Sequence, residues 1–267
     1  MQTKSDAELL EAYAGMDEEA AFAELVSRHG AMVYRVCFRK LGNQHDAEDA
    51  SQAVFMALVK KSGEMRWRDS LAGWLHTVAR QTSLFMARTR ARHEHRNSAA
   101  AEFLEVEIAH EASPQEKDFV MECLDDELSN LSRSQREAVV LRYLHGFSER
   151  EAAAVAGCAP NTLSCRASEG IARLRQRLVK RGCTLGVPAL IGLLATESQA
   201  AVPETLIPSL MAVPKTFAAG AAAGHGTGNI VSIMEGTMKV IVMTKVKTVG
   251  IGVLAALLLG VVGVVTW

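Results

Sequence analysis

From residue 5 to residue 181 the apolar positions recur three and four apart, the period of helices that lie on a core. Phe22, Leu25, Val26, Met32, Val33 and Val36 fall along one amphipathic helix, which Leu41-Gly42-Asn43 ends. A second helix begins at Asp46, with Ala50, Ala53, Val54, Ala57 and Leu58 as its apolar side. Lys60 and Lys61 stand at its C-terminal end, where the helix dipole favours cations. Residues 62–70 read as a loop. Leu71 to Arg96 reads as a third helix with the stripe Leu71, Trp74, Leu75, Val78 and Phe85. The wheel leaves Thr77, Arg80, Ser83, Leu84, Ala87 and Arg88 on its other side. Trp74 therefore belongs to the core, whereas Trp67, between Arg66 and Arg68 in the loop, is open to either a packing or a stacking role.

The pattern resumes after an acidic stretch, 97–118, that reads as a linker. Asp126 to Leu131 and Gln135 to Leu144 are helical, and His145-Gly146-Phe147 turns the chain. Ser148-Glu149-Arg150-Glu151 has the spacing of a capping box. A short helix from Glu151 to Ala156 follows, then the turn Gly157-Cys158-Ala159, then a longer helix opened by Pro160, a residue that suits a first turn. Short helix, glycine turn, longer helix is the helix-turn-helix pattern. On the longer helix Leu163, Ala167, Ile171, Leu174 and Leu178 make the inner stripe. Asn161, Thr162, Cys165, Arg166, Ser168, Glu169 and Arg173 face out. Small polar groups first and arginines further along suit a recognition helix, with base edges met by the first turns and phosphates by the later cations.

Composition agrees with an all-α fold. Ala, Leu, Glu and Arg dominate, and runs of Val and Ile are rare before residue 185. The net charge of −1 hides alternating blocks: acidic at 46–49, basic at 80–96, acidic at 102–118, basic at 166–181. Such blocks predict separate surfaces for separate partners. The five cysteines form no C-x-x-C pair, and the polar N-terminus carries no signal-peptide pattern, so reduced, cytosolic thiols are expected. His93-Glu94-His95 diverge on a helix, so solvated charge is the expected role there. No nucleotide-binding glycine loop and no complete catalytic set is present. The chain is not expected to be an enzyme, and no metal or cofactor is expected.

Two blocks with these motifs in this order resemble the extracytoplasmic-function (ECF) sigma factors of bacterial RNA polymerase. The first block, 5–96, is similar to their promoter-melting region 2. It carries Phe22-Ala23-Glu24-Leu25-Val26, then Asp46-Ala47-Glu48-Asp49-Ala50-Ser51-Gln52-Ala53-Val54-Phe55, then Gly73-Trp74-Leu75-His76-Thr77-Val78-Ala79-Arg80. The second, 119–182, is similar to their region 4. It carries Leu131-Ser132-Arg133-Ser134-Gln135-Arg136-Glu137-Ala138-Val139-Val140-Leu141-Arg142, Ser148-Glu149-Arg150-Glu151-Ala152-Ala153 and Asn161-Thr162-Leu163-Ser164-Cys165-Arg166. Ser164 stands where the family often has a basic residue, and Gln81 where it often has Asn, which bears on the promoter sequence read.

The resemblance implies roles by position. Asp46, Glu48, Asp49 and Gln52 would contact the clamp helices of core RNA polymerase. Arg66, Trp67, Arg68, Thr77, Arg80, Ser83 and Arg88 would hold the melted −10 strand, where stacking and a basic groove do the binding. Asn161, Thr162, Cys165, Arg166, Ser168 and Arg173 would read the −35 duplex in its major groove. An anti-sigma factor is a further partner the resemblance admits. The alternative is a membrane-anchored helix-turn-helix regulator that binds DNA without being a polymerase subunit. An anti-sigma or other membrane-bound interaction protein fits less well, because a full recognition helix is present.

After residue 182 the composition changes. The only charged side chains there are Glu197, Glu204, Lys215, Glu235, Lys239, Lys245 and Lys247. Residues 183–248 form an Ala- and Gly-rich tail, with Leu185–Ala195 a short apolar run and amphipathic helices expected in 202–246. Val249–Trp267 is without charge, and at about 1.5 Å per residue it covers about 28 Å, near the hydrocarbon thickness of a bilayer. Lysines before it and Trp267 at its end predict a transmembrane helix with the DNA-binding blocks tethered on the cytoplasmic side; a helix buried in the tail is the competing reading. A tail that masks the DNA-binding surfaces is a further expectation.

Overall fold

The computed structural model describes residues 4–16, 18–62, 70–98, 114–183, 185–215 and 230–239. Every regular element among these residues is helical. The first block comprises α1 (Asp6–Met16), α2 (Glu19–Leu41), α3 (Gln44–Ser62) and α4 (Leu71–Ser98). Its core is the apolar face of α2 set against α3 and α4: Phe22, Leu25, Val26, Val33, Val54, Phe55, Leu58, Leu71, Leu75 and Val78 are all buried. Phe22 meets Phe55 edge-on, with ring centroids 6.2 Å apart. Trp74 is half-buried against the core rather than sealed inside it. The second helix starts slightly ahead of Asp46. Asn43 caps it, its Oδ1 accepting from the Asp46 backbone N–H at 2.8 Å.

The second block comprises α5 (Pro114–Ser129), α6 (Arg133–Val139) continued by a π-turn (Val140–Leu144), α7 (Glu149–Ala156) and α8 (Pro160–Lys180). Helix α5 begins inside the stretch read as linker, at a proline that suits a first turn. The π-turn is closed by the His145 N–H donating to the Val140 carbonyl at 2.9 Å. The capping box forms: Ser148 Oγ accepts from the Glu151 N–H, and the Glu151 carboxylate accepts from the Ser148 N–H. Gly157 turns the chain with φ +63°, a left-handed conformation that glycine adopts without Cβ strain. The inner stripe of α8 is as the pattern demands, with Leu163, Ala167, Ile171, Leu174 and Leu178 all buried.

Beyond the second block lie α9 (Val187–Ser198) and α10 (Leu206–Met211), and a helical segment at 230–239. Leu190 and Leu194 of α9 are buried where it lies over the π-turn and α8. Leu206 and Leu210 of α10 are buried against α2 and α3. No helix among the described residues is long and apolar enough to cross a membrane. The expected transmembrane segment, 249–267, lies outside the described residues, as do 99–113 of the expected linker.

Candidate nucleic-acid and polymerase interface

Helix α8 presents an open row. Asn161, Thr162, Cys165, Ser168 and Arg173 are exposed and Arg166 is half-exposed. Cys165 donates to Glu169 Oε1 one turn on, at 3.6 Å. Glu169 is also held, through Oε2, by Gln135 of α6 at 3.0 Å, which fixes α8 on its support helix. Further along, Arg173, Gln176, Arg177, Lys180 and Arg181 line an open groove of about 580 Å³ with Glu127 on its far wall. Arg177 and Arg181 pair with Glu127 at 3.2 and 2.8 Å. This end of α8 therefore offers cations, some of them already engaged by an acid of the same block.

On α3 the four acidic and amide positions are half-buried rather than free. Asp46 accepts from Asn43 at 2.8 Å and pairs with Arg90 of α4 at 3.4 Å. Glu48 accepts from Gln44 at 2.8 Å and from Thr205, in the tail, at 3.4 Å. Burial, with the neighbouring Asp46 and Glu48 carboxylates adding to it against the opposing pull of His45, pushes the Asp49 carboxyl above its ordinary range. Gln52 lies one turn further along the same side.

The basic side of α4 faces the second block. Arg80 donates to Asp126 of α5, Nε to Oδ1 at 2.9 Å. Thr77 accepts from Arg136 of α6 at 2.8 Å and donates to the Gly73 carbonyl. Arg88 is exposed. Ser83 departs from expectation: it is wholly buried and donates to the Ala79 carbonyl at 2.7 Å. The reason is its register. Ser83 follows Leu75 and Ala79 by eight and four residues, so it shares their inward face under α2 and is no part of the basic side. Arg66, Trp67 and Arg68 lie outside the described residues.

The two blocks are joined by a charged cluster that sequence patterning does not single out. Arg39 of α2 grips Asp125 of α5 in a fork, with NH2–Oδ1 at 2.9 Å and Nε–Oδ2 at 3.2 Å, and reaches Glu197 of α9 at 2.8 Å. His76 of α4 lies 3.0 Å from the same Asp125. Burial alone would raise the Asp125 carboxyl, but Arg39 and His76 outweigh it and hold it down at about 2. Nearby, His29 of α2 lies 2.8 Å from Asp6 and 3.4 Å from His145. The run Asp125-Asp126-Glu127 facing a basic helix was the available signal for this joint.

Comparison with known proteins follows the two blocks. Residues 25–93 match the family described as Sigma-70 region 2, and residues 121–174 match Sigma-70, region 4. The chain is similar to the RNA polymerase sigma factor CarQ of Myxococcus xanthus, 31% identical, over 59% of this chain and 89% of CarQ. It is similar to the ECF RNA polymerase sigma factor SigE of Mycolicibacterium smegmatis, 34% identical, over 59% of this chain. The chain spans 61% of the length of SigE. A solved structure of the sigma factor RpoE in complex with the anti-sigma factor NepR, from Bartonella quintana, matches at 26% identity and TM-score 0.27, over 59% of this chain and 96% of that one. With both regions matched in order, and nearly nine-tenths of CarQ covered, the chain belongs to the ECF sigma factors of RNA polymerase.

Proposed function

We propose that this chain acts as a dissociable subunit of RNA polymerase that chooses promoters and helps open them, the polymerase itself performing the chemistry. The observation that carries the reading is the exposed row on α8, set on a capped helix-turn-helix, in one chain with a region 2 block. In this reading Asp46, Glu48, Asp49 and Gln52 contact core polymerase. Thr77, Arg80 and Arg88, with Arg66, Trp67 and Arg68 that precede α4 in the sequence, hold the melted −10 strand through phosphates and stacking. Asn161, Thr162, Cys165, Arg166 and Ser168 meet base edges of the −35 duplex, and Arg173 a phosphate. Ser83 packs α4 on α2 and has no direct part.

The proposal extends to place and partners. The charge-free run 249–267, led by lysines, tethers the DNA-binding blocks to the inner face of the membrane, and an anti-sigma factor is a further partner. Membrane fractionation with and without residues 249–267 tests the tether. The central test mixes the purified chain with core polymerase and promoter fragments. Stable binding and correctly started transcripts are expected. Binding to duplex DNA with no binding to core polymerase would overturn the reading in favour of a helix-turn-helix regulator.

A further inference from the structure

The tail helices lie on both blocks, α9 on the second and α10 on the first, and the end of α9 reaches across to α2. Glu197, near the end of α9, accepts from Arg39, the residue whose other nitrogens hold Asp125. Two residues past α9, the Ala200 carbonyl accepts from Arg35 Nε at 2.9 Å. The chain then enters α10, whose Leu206 and Leu210 are wholly buried. Gly30 of α2 makes room for that seat. A Cβ there would stand 3.1 Å from both Ile207 Cδ1 and Leu210 Cδ1, tighter than ordinary contact, so both side chains would have to give way and a larger side chain would have no room. Thr205, at the head of α10, reaches Glu48, a proposed polymerase contact. The segment 230–239 extends the cover to α4, with Ile233, Met234 and Thr237 buried and Gly236 against the Phe85 ring.

In this closed arrangement Arg80 is occupied by Asp126, and Thr77 by Arg136. A nucleic-acid strand needs the same Arg80 cation, and Asp126 both takes it and sets a negative charge where a phosphate would lie. Parting α4 from α5 and α6 while α9 stays seated on the second block and α10 on the first requires the end of α9 to let go of Arg35 and Arg39 of α2. We propose that residues 187–215 are a built-in clamp that holds the two blocks shut, with the −10 strand site covered and the polymerase helix α3 capped at Glu48, until the tail is lifted. The clamp rests on the sigma-factor reading only for what it blocks. A closed form that excludes the ligand lowers the observed affinity by the fraction of molecules that are open.

The test uses the full chain and three variants. Leu206→Glu with Leu210→Glu expels α10 by charge. Gly30→Leu expels it by bulk from the opposite side. Glu197→Ala removes a half-exposed carboxylate and leaves both cores untouched, so it keeps the test sound if either of the others misfolds. Helix content is read by circular dichroism, shape by small-angle scattering, and binding by titration with core polymerase and with a single-stranded −10 oligonucleotide. The first two variants are expected to expand and to bind both ligands about tenfold or more tightly than the parent, and Glu197→Ala to move the same way by less. Folded variants that stay as compact as the parent, or that bind no more tightly, would overturn the clamp. If neither parent nor variants bind core polymerase, the sigma-factor reading fails instead, and scattering alone then decides whether the clamp exists.

Discussion

Arg80 on α4 and Asp126 on α5 hold each other across the joint between the two blocks, Nε to Oδ1 at 2.9 Å. Asp126 is shared, since Arg181 at the end of α8 reaches its other oxygen at 3.2 Å. Both partners of the Arg80 pair keep roughly a quarter of their side-chain surface in water, so solvent weakens the attraction to about 1 kcal/mol. Asp126→Asn keeps the shape and removes the charge. It is expected to tighten binding of a −10 single strand about fivefold, the equivalent of about 1 kcal/mol. Arg80→Ala is expected to weaken that binding and to lower the salt dependence of log affinity by about 0.7, the slope of one single-strand phosphate contact. Fluorescence anisotropy over a salt series checks both.

The exposed row on α8 predicts a division of labour along one helix. Asn161→Ala and Arg166→Ala are expected to cost about 1–3 kcal/mol on the preferred −35 duplex and much less on unrelated duplexes. Arg173→Ala is expected to weaken binding to all duplexes alike and to reduce the salt slope by about 0.9. Parallel titrations on matched and scrambled duplexes separate the two kinds of loss.

The helix-turn-helix was legible because its signals are local. Ser148 and Glu151 bond to each other's backbone, Gly157 takes a left-handed turn, and Pro160 opens α8, each within a few residues. The face of α4 was less legible. Ser83 has the polarity of an outward residue, but its register with Leu75 and Ala79 buries it, and a hydroxyl bonded to the carbonyl four residues back is satisfied there. The joint was hidden because it is built between residues distant in the chain. Arg39 meets Asp125 and Glu197 only after folding, and nothing near Arg39 in sequence marks it. Gly30 looks like an ordinary weak point in a helix until Ile207 and Leu210 are seen lying on it.

Asp125 is the carboxylate on which this joint depends. Removing it in Asp125→Ala leaves the Arg39 guanidinium with Glu197 alone and His76 without its partner. Loss of one member of a buried ionic cluster is expected to cost about 3 kcal/mol, read as a lower urea midpoint. The pH sign follows from its depressed carboxyl. Its contribution is full above the ordinary aspartate value of about 3.9 and is lost as pH falls through the folded value. That folded value is about 2. The difference between parent and Asp125→Ala is therefore expected to persist across neutral pH and to vanish only in strong acid.

A milder acid sensitivity is expected at His145, which sits where the second block meets α2. Its ring stands edge-on to His29, centroids 5.0 Å apart, and stacks on Phe147 at 5.2 Å. Burial is the largest cause that sets its basicity well below the ordinary histidine value. The electrostatic influence of His29 and Arg35, and more weakly of His76 of α4, acts in the same direction, and a backbone hydrogen bond with Arg28 opposes it. Asp6 of α1 bonds the far side of His29, so its carboxylate is directed at that ring and not at His145. Above about pH 6.5 His145 is neutral whether the blocks are together or apart, and the joint keeps its full stability. Below that value the opened form gains a proton that the closed form refuses. The closed form therefore loses stability as pH falls from about 6.5 toward the depressed value, at up to about 1.4 kcal/mol per pH unit. Scattering between pH 7.5 and pH 5.5 is expected to show the parent expanding. His145→Asn, which keeps a donor and cannot titrate, is expected to stay compact over the same range. Equal expansion in both proteins would place the sensitive group elsewhere.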